Sequence, residues 1–191
     1  WLSRPVGVSG QVFEPEDPPY VATPDHIVDL MLSMADVEAG DIVYDLGSGD
    51  GRLVIEAGRR GARGVGIEYE QWLVDLSRDS AREAGVDSLV RFERADIFAT
   101  DVSPATVVML YLSPDFNLRL RGTLLRDLRP GTQVVSHAFH MGDWEPDLTR
   151  TVGAGAGRTT VYRWTIPARV DGFWSLESAG MEPLTVELRQ E

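Results

Sequence analysis

Apolar and polar positions along the chain follow two alternating periods. Short apolar runs of strand length recur, and between them apolar residues fall at helical spacing. The runs that predict strands are, in order, DIVYDL, RGVGIE, LVRFER, TVVMLYL and GTQVVSHAF. Strand–helix units with short connections are typical of a parallel sheet that is covered by helices on both faces. The pattern therefore predicts an α/β, doubly wound fold.

Four helices are predicted between and before these strands. The leading helix has Thr23 as its predicted N-cap and Pro24 at its first helical position, and Gly40 ends the segment. The other three are expected to run from the glycine-rich turn after the first strand through Arg60, from about 70 to 84, and from about 114 to 128.

The pattern changes after the fifth strand. Too few residues separate GTQVVSHAF from the next apolar segment, TRTV, for another crossover helix. TRTV and TTVYRWTI are joined by GAGAG, which favours a turn, so the two segments predict an antiparallel hairpin. The expected result is a Rossmann-like sheet of seven strands with a terminal antiparallel hairpin.

Three regions follow from this pattern. Residues 1–22 are rich in proline, glycine and acidic residues and predict an irregular N-terminal arm, and residues 23–167 form the main domain. Residues 168–191 predict a short β-rich C-terminal extension with two more strands, GFWSL and LTVEL, and we expect it to be truncated at Glu191. Because the chain opens on Trp1 rather than methionine, we expect that an upstream segment has been removed.

Composition and charge narrow the function classes. The 191 residues contain no cysteine, which excludes disulfides, thiolate metal sites and a cysteine nucleophile. The formal net charge of −12 argues against a nucleic acid as the main partner, since phosphate binding relies on basic surface. A small molecule or a basic protein fits the charge better. No apolar run in the sequence is long enough to span a membrane.

The segment VYDLGSGDGRLVIEAG places a glycine-rich turn directly between a strand and a helix. Glycine occupies three alternate positions: Gly47, Gly49 and Gly51. A dinucleotide fingerprint would need glycine where Arg52 stands, and the lysine of a phosphate-binding loop is absent. Asp45 and Asp50 would make a poor phosphate site but a good one for an ammonium or sulfonium group.

Acidic residues follow three successive predicted strands: Asp45, Glu68 and Asp96. Glu68 stands where a doubly wound fold places an acid for the ribose hydroxyls, and Asp96 can accept a hydrogen bond from an adenine amine. Tyr69 could cover one face of the base, and Ile97 or Phe98 could line it. Each acid alone could simply cap the following helix, but together they favour one ligand crevice.

These segments resemble a known family. VYDLGSGDG, GVGIE and ADIF are similar to motifs of class I S-adenosylmethionine-dependent methyltransferases. The resemblance implies S-adenosylmethionine as the cofactor, with S-adenosylhomocysteine as its product. It also implies that the methionine part binds the glycine turn, the ribose binds Glu68 and the adenine amine binds Asp96. The turn residues are Asp45, Gly47, Ser48, Gly49 and Gly51.

A narrower resemblance covers residues 19–166. PYVATPDHIVDLML, ATVVMLYLSPDFNLRLRGTL and RPGTQVVSHAF are similar to segments of a small archaeal and mitochondrial group of protein lysine methyltransferases. It implies transfer to lysine side-chain amines of a protein, with Tyr20 and Thr23 folded over the cofactor. The tail from Ala168 has no counterpart in the compact archaeal members and resembles an extension of bacterial proteins, which leaves the substrate open.

The acceptor site is expected after the fourth and fifth strands. Tyr111 and Ser113 are candidates to face the transferred methyl, and His137 is a candidate proton acceptor or substrate-orienting residue. No metal is expected, because His137 and His140 lack a third ligand nearby. The Asn/Asp-Pro-Pro-Tyr motif of amide- or adenine-nitrogen methyltransferases is absent, since LYLSP stands in its place.

Two other functions stay open. The chain could be a small-molecule N- or O-methyltransferase, or a non-catalytic module that binds S-adenosylmethionine. We expect a cytoplasmic protein, with membrane association through a tether upstream of Trp1 as the other possibility, and a protein with accessible lysines or a small molecule as its partner rather than a nucleic acid.

Overall fold

A computed structural model of the protein describes residues 20–168, 172–176 and 184–188. The helices are α1 (Asp25–Met34), α2 (Arg52–Arg59), α3 (Gln71–Glu83) and α4 (Pro114–Asp127). The strands are β1 (Ile42–Leu46), β2 (Arg63–Glu68), β3 (Val90–Arg94), β4 (Val107–Leu110), β5 (Gln133–His137), β6 (Leu148–Val152), β7 (Thr159–Thr165), β8 (Gly172–Leu176) and β9 (Leu184–Leu188). A short 3₁₀ turn, Gly155–Gly157, joins β6 to β7.

The main sheet has seven strands in the order β3-β2-β1-β4-β5-β7-β6. The first five strands of the chain pair in parallel, whereas β7 is antiparallel to both β5 and β6. This confirms the predicted doubly wound sheet and its terminal hairpin. The strand order reverses between β1 and β4, and a doubly wound sheet binds ligands in the crevice outside the carboxyl ends of strands at such a point.

Both faces of the sheet are buried at its central strands, which is why β1, β2 and β4 are largely apolar runs, whereas the edge strands β3 and β6 expose several residues. Successive residues face opposite sides: Val107 packs with α1 and α2, and Val108 packs with α4. Trp164 on β7 is fully buried on the α4 side. The fold therefore presents the strand ends, rather than the faces, as the place for a ligand.

Helix α1 begins one residue later than predicted. Pro24 is its N-cap, with an extended backbone (φ −58°, ψ 143°), and the Pro24 carbonyl accepts the first helical hydrogen bonds from the amides of Ile27 and Val28. The prediction of Thr23 as the N-cap is therefore wrong. The Thr23 carbonyl instead accepts a hydrogen bond from the guanidinium of Arg52, a residue distant in the sequence. Thr23 is therefore held by this tertiary contact and is not part of the helix start.

Strands β8 and β9 pair with each other in an antiparallel register, from Gly172 opposite Leu188 to Leu176 opposite Leu184. They coincide with the two strands predicted for the extension. Most of the predicted N-terminal arm, residues 1–19, lies outside the described residues, as do the segments that flank β8 and β9. Among the residues described, no helix has the length and apolar character needed to cross a membrane.

Candidate functional site

A cavity of about 470 Å³ lies at the carboxyl ends of β1, β2, β3 and β4. It brings together most of the residues that the sequence nominates: Tyr20, Thr23, Asp45, Gly47, Ser48, Gly49, Glu68, Tyr69, Asp96, Ile97 and Tyr111. The cavity walls combine acidic groups near β1 and β2 with aromatic groups near β3 and β4. This separation gives the cavity one end for a cation and one end for a flat apolar group.

The glycine turn is anchored to β2. The amides of Gly47 and Ser48 both donate to the Ile67 carbonyl, at 2.9 and 3.0 Å. Gly49 has φ +54°, and a Cβ there would lie 2.4 Å from Cε2 of Tyr20. The Tyr20 ring therefore lies directly against bare backbone, which is the close approach that glycine permits.

Glu68 connects the glycine turn to the start of α3. Its Oε2 accepts a hydrogen bond from the Gly49 amide at 2.9 Å, and its Oε1 accepts from the amides of Tyr69 and Glu70 at 2.8 and 3.0 Å. These three bonds fix the carboxylate in one orientation. An ionised carboxylate offers about four acceptor positions, so one remains for a ligand hydroxyl.

Asp45 is buried in the same corner without such partners. The residue is 3% exposed, and no hydrogen bond reaches its carboxylate from the described residues. Burial, with the charges of Glu68 and Asp50, raises the pKa of Asp45 to about 8. The Ser48 hydroxyl is also buried without a partner in the described structure. The Ser48 oxygen lies beside β2, where a Cβ on Gly66 would be 2.7 Å from it. A cationic ligand that donates hydrogen bonds would satisfy the Asp45 carboxylate.

The other end of the cavity is aromatic. The rings of Phe98 and Phe116 lie 5.3 Å apart, and the Arg119 guanidinium lies 3.8 Å above the Phe98 ring. Asp96 Oδ1 accepts a hydrogen bond from the Phe98 amide at 2.8 Å, which leaves Oδ2 for a ligand amine. Ile97 lies between Asp96 and Phe98 and lines the same wall.

Sequence reasoning missed several residues of these walls: Trp72, Phe116 and Arg119. Trp72 lies in the first turn of α3, with its ring edge-on to Tyr20 at a centroid distance of 6.3 Å. Phe116 and Arg119 stand three apart on α4, a spacing that places them on one helix face. That spacing, and the aromatic residue closely following Glu68, are the signals that could have identified them.

Three nominated residues lie outside the cavity, and the first is Gly51. A Cβ on Gly51 would lie 2.6 Å from Cε1 of Phe92 and 2.8 Å from Cβ of Ser77. Gly51 therefore lets α3 and β3 pack closely against the turn. Ser113 is the second: it is the N-cap of α4, and its carbonyl accepts the Asn117 amide at 3.1 Å.

His137 is the third, and it lies behind Tyr111. Their ring centroids are 4.1 Å apart, and His137 Nε2 lies 2.9 Å from the Thr159 hydroxyl. Burial, with the charge of His26, lowers the pKa of His137 to about 4, so its imidazole is neutral near pH 7. Tyr111 lines the cavity, whereas His137 does not line it and packs against the Tyr111 ring.

Comparison with known proteins identifies relatives over most of the chain. The profile of the ANTKMT methyltransferase domain family matches residues 45–148. A protein-lysine N-methyltransferase of Saccharolobus islandicus is 37% identical over 150 residues, which are 78% of this chain and 93% of that protein. The adenine nucleotide translocase lysine N-methyltransferase of Mus musculus is 35% identical over 145 residues, which are 75% of this chain and 62% of that protein. The chain thus spans nearly all of the archaeal relative but less than two thirds of the mammalian one.

A solved structure is still more similar. It is the crystal structure of a protein from Salinibacter ruber, described as an RNA methyltransferase in complex with S-adenosyl-L-homocysteine. It is 56% identical, with a TM-score of 0.73, and covers 78% of this chain and 96% of that chain. A Geobacter sulfurreducens methyltransferase with the same ligand, 24% identical with a TM-score of 0.53 over 70% of this chain and 51% of that one, supports the fold alone.

Proposed function

The chain belongs to the ANTKMT methyltransferase domain family, and from this premise we propose that it transfers methyl groups to lysine side-chain amines of proteins. It is a class I methyltransferase with S-adenosylmethionine as its cofactor. The observation that carries the lysine assignment is the similarity to the archaeal protein-lysine N-methyltransferase, which extends over 93% of that enzyme.

The cavity fits this cofactor. Asp45 supplies a buried carboxylate to which no hydrogen bond is made in the described structure, which suits the ammonium group of the methionine part. We propose that Ser48 contributes to the same site as part of the turn that lines it. The remaining acceptor position of Glu68 suits a ribose hydroxyl, and Asp96 with Ile97 suits adenine. We propose that Gly47, Gly49 and Tyr69 complete these contacts and that Tyr20 and Thr23 cover them. When bound, S-adenosylmethionine supplies an electrophilic methyl group on a sulfonium centre.

Tyr111 is the proposed contact for the acceptor. It lines the cavity at the end of β4, and its ring is held from behind by His137. The lysine amine must be neutral before its lone pair can form the new carbon–nitrogen bond as the sulfur–carbon bond breaks. Aromatic walls, here Tyr111 and Phe116, favour the neutral amine because they withhold water from the charged form. The lysine ammonium gives its proton to solvent before the transfer, and the methylated amine then carries the positive charge that the sulfonium loses.

Ser113 and His137 are proposed to act indirectly. Ser113 fixes the start of α4, which carries Phe116 and Arg119 into the cavity. His137 is hydrogen-bonded to Thr159 and packs against the Tyr111 ring. We therefore propose that it orients Tyr111 and does not take the proton from the lysine ammonium.

RNA is the second candidate acceptor, because the Salinibacter ruber relative is described as an RNA methyltransferase. The charge of this chain argues against it, since a net charge of −12 repels a phosphate backbone. The two arginines at the cavity are also engaged: Arg52 is paired with Asp50, and Arg119 is stacked on Phe98. A protein acceptor rich in lysine matches the acidic surface better.

The test is transfer of radiolabelled methyl from S-adenosylmethionine to a lysate of the source organism. The lysate is divided into protein, RNA and small-molecule fractions, and each fraction is treated with protease or ribonuclease. The Asp45→Asn variant is the matched negative control, because it removes the proposed ammonium contact with little change of volume.

Label that is lost on protease treatment and recovered as methyl-lysine after acid hydrolysis is the expected result. Ribonuclease-sensitive label would overturn the lysine proposal in favour of RNA. Label confined to the small-molecule fraction would overturn it in favour of a metabolite acceptor.

A further inference from the structure

Arg52, the first residue of α2, makes an unusually complete set of contacts. Its Nε lies 3.0 and 3.1 Å from the two carboxylate oxygens of Asp50, and its Nη2 lies 2.6 Å from Asp50 Oδ2. Its Nη1 donates to the Thr23 carbonyl at 2.9 Å and to Asp25 Oδ1 at 3.2 Å. One guanidinium therefore connects the glycine turn to the segment that precedes α1.

That segment, residues 20–23, forms one wall of the cofactor cavity. It has no helical or strand hydrogen bonding of its own. Tyr20 lies against Gly49 of the turn and edge-on to Trp72. The Tyr20 hydroxyl is close to the carboxylate that Arg52 holds: burial and then the charge of Asp50 raise the pKa of Tyr20.

We propose that Arg52 is a positioning residue for the cofactor. Through Asp50 and the Thr23 carbonyl it holds residues 20–23 closed over the cavity. The cofactor or its product leaves when these Arg52 contacts break. The five donors of a guanidinium in a fixed fork allow simultaneous contact with a carboxylate and a carbonyl, which a lysine ammonium cannot reproduce. The inference goes beyond the identity of the acceptor, because it concerns retention of the cofactor alone.

Arg60 offers a matched control on the same helix pair. It also joins α2 to α1, through Asp29 at 3.1 Å and Ser33 at 3.3 Å, and its side chain is 25% exposed against 33% for Arg52. It has no contact with Asp50 or with residues 20–23 in the described structure. Arg52→Gln and Arg60→Gln therefore each remove a partly buried guanidinium that ties one end of α2 to the chain around α1, and thermal unfolding should show similar losses of stability for both.

The experiment measures dissociation of S-adenosylhomocysteine from the full chain by stopped-flow tryptophan fluorescence, with Trp72 at the cavity as the reporter. Arg52→Gln should raise the dissociation rate by about tenfold, the scale of one lost charge-assisted hydrogen bond. Arg60→Gln should leave that rate near the wild-type value. Equal rates for the two variants would overturn the proposal.

A double variant separates the effect of the Arg52 contacts on residues 20–23 from a general effect on folding. If Arg52 acts by holding Tyr20, the Tyr20→Ala variant should already release the ligand fast, and adding Arg52→Gln should change its rate little. Additive effects of the two substitutions would contradict this route of action. Because the readout needs no methyl acceptor, the result stands apart from the lysine proposal.

Discussion

Asp45 and Glu68 share one buried corner at the ends of two neighbouring parallel strands, yet their hydrogen bonding is opposite. Glu68 accepts three backbone amides, whereas Asp45 accepts none from the described residues. After burial itself, the charge of Glu68 is the largest influence that raises the pKa of Asp45. In the free protein, Asp45 is thus protonated near neutral pH. The ammonium group of the cofactor, by contrast, binds the ionised carboxylate.

Cofactor affinity should therefore depend on pH. Binding of the ammonium group favours ionised Asp45, so the pKa of Asp45 falls in the complex and a proton is released. Affinity for S-adenosylhomocysteine should rise as the pH increases from about 6 to about 8, and then level off as Asp45 becomes ionised in the free protein.

Calorimetry in two buffers of different ionisation enthalpy would measure this proton release at pH 7. The Asp45→Asn variant should lose the pH dependence. An affinity that stays constant between pH 6 and 8 in the wild-type protein would contradict the assignment of Asp45 as the ammonium partner.

Asp45→Asn should also stabilise the cofactor-free protein. Between its unfolded pKa of about 4 and its folded pKa of about 8, Asp45 binds more protons in the folded state, so its contribution to stability falls as pH rises. Asparagine removes this dependence. We expect a gain of about 2 kcal/mol at pH 8, seen as a rise of several degrees in Tm, together with a loss of cofactor affinity of tenfold or more.

The pH dependence of this difference in stability between the variant and wild type provides the control. At pH 4 the wild-type carboxyl is largely protonated in the folded state and about half protonated in the unfolded state, so the two proteins should have nearly equal stability there. A variant that is less stable than wild type at pH 8 would show that Asp45 has partners other than the cofactor.

Much of this corner follows from the sequence, because its determinants are local. A parallel strand buried on both faces must be an apolar run, and Asp45 and Glu68 lie at the ends of two such runs, β1 and β2. Asp96 follows β3, an edge strand in which buried and exposed residues alternate. The strand order then brings the acids together. The extent of the sheet and the acidic side of the cavity could therefore be predicted from periodicity and from the family motifs.

Features set by distant contacts could not be predicted in this way. Thr23 has the ideal side chain for an N-cap, but Arg52 binds its carbonyl and α1 begins after it. Gly51 belongs to the glycine motif, yet Phe92 and Ser77 occupy the space beside it. The aromatic wall from α4 depends on how that helix packs at the end of β4, which periodicity does not specify.

Glu68→Gln should weaken both the turn and the cofactor. The amide group of glutamine would place a donor against at least one of the three backbone N–H groups that the carboxylate accepts, and would leave it unpaired. We expect a loss of about 2–3 kcal/mol in cofactor affinity, measured by calorimetry. Glu70→Gln removes the same charge two residues away, and should weaken binding much less. Equal affinities of wild type and Glu68→Gln would contradict the proposed ribose contact.

Gly51→Ala should damage folding rather than cofactor contacts. Its φ of +80° and the Phe92 ring, 2.6 Å from the new Cβ, predict a loss of about 3 kcal/mol in the free energy of unfolding. Gly85→Ala is the matched control, because Gly85 has φ +69° with no atom within 4 Å of the added Cβ. It should lose only about 1 kcal/mol, the backbone cost alone. Similar losses for both variants in urea unfolding would contradict a packing role for Gly51.

His137 should support Tyr111 without titrating in the working pH range. Burial, with the charge of His26, lowers the pKa of His137 to about 4. Replacing His137 should therefore leave the shape of the pH–rate profile of methyl transfer unchanged near pH 6.5. His137→Leu keeps an apolar group behind the Tyr111 ring but loses the bond to Thr159. It should lower kcat about tenfold through a looser Tyr111, and leave the Kd for S-adenosylhomocysteine unchanged.

Stability gives the second readout for His137. Between its folded pKa of about 4 and its unfolded value of about 6.5, His137 binds more protons in the unfolded state, so acidification through this range destabilises the wild-type protein. The His137→Leu variant should lose less stability than wild type between about pH 7 and about pH 4.5. If instead wild type and variant lose stability in parallel, while the variant also loses an inflection near pH 6.5 in kcat, His137 is the proton acceptor and the supporting role is wrong.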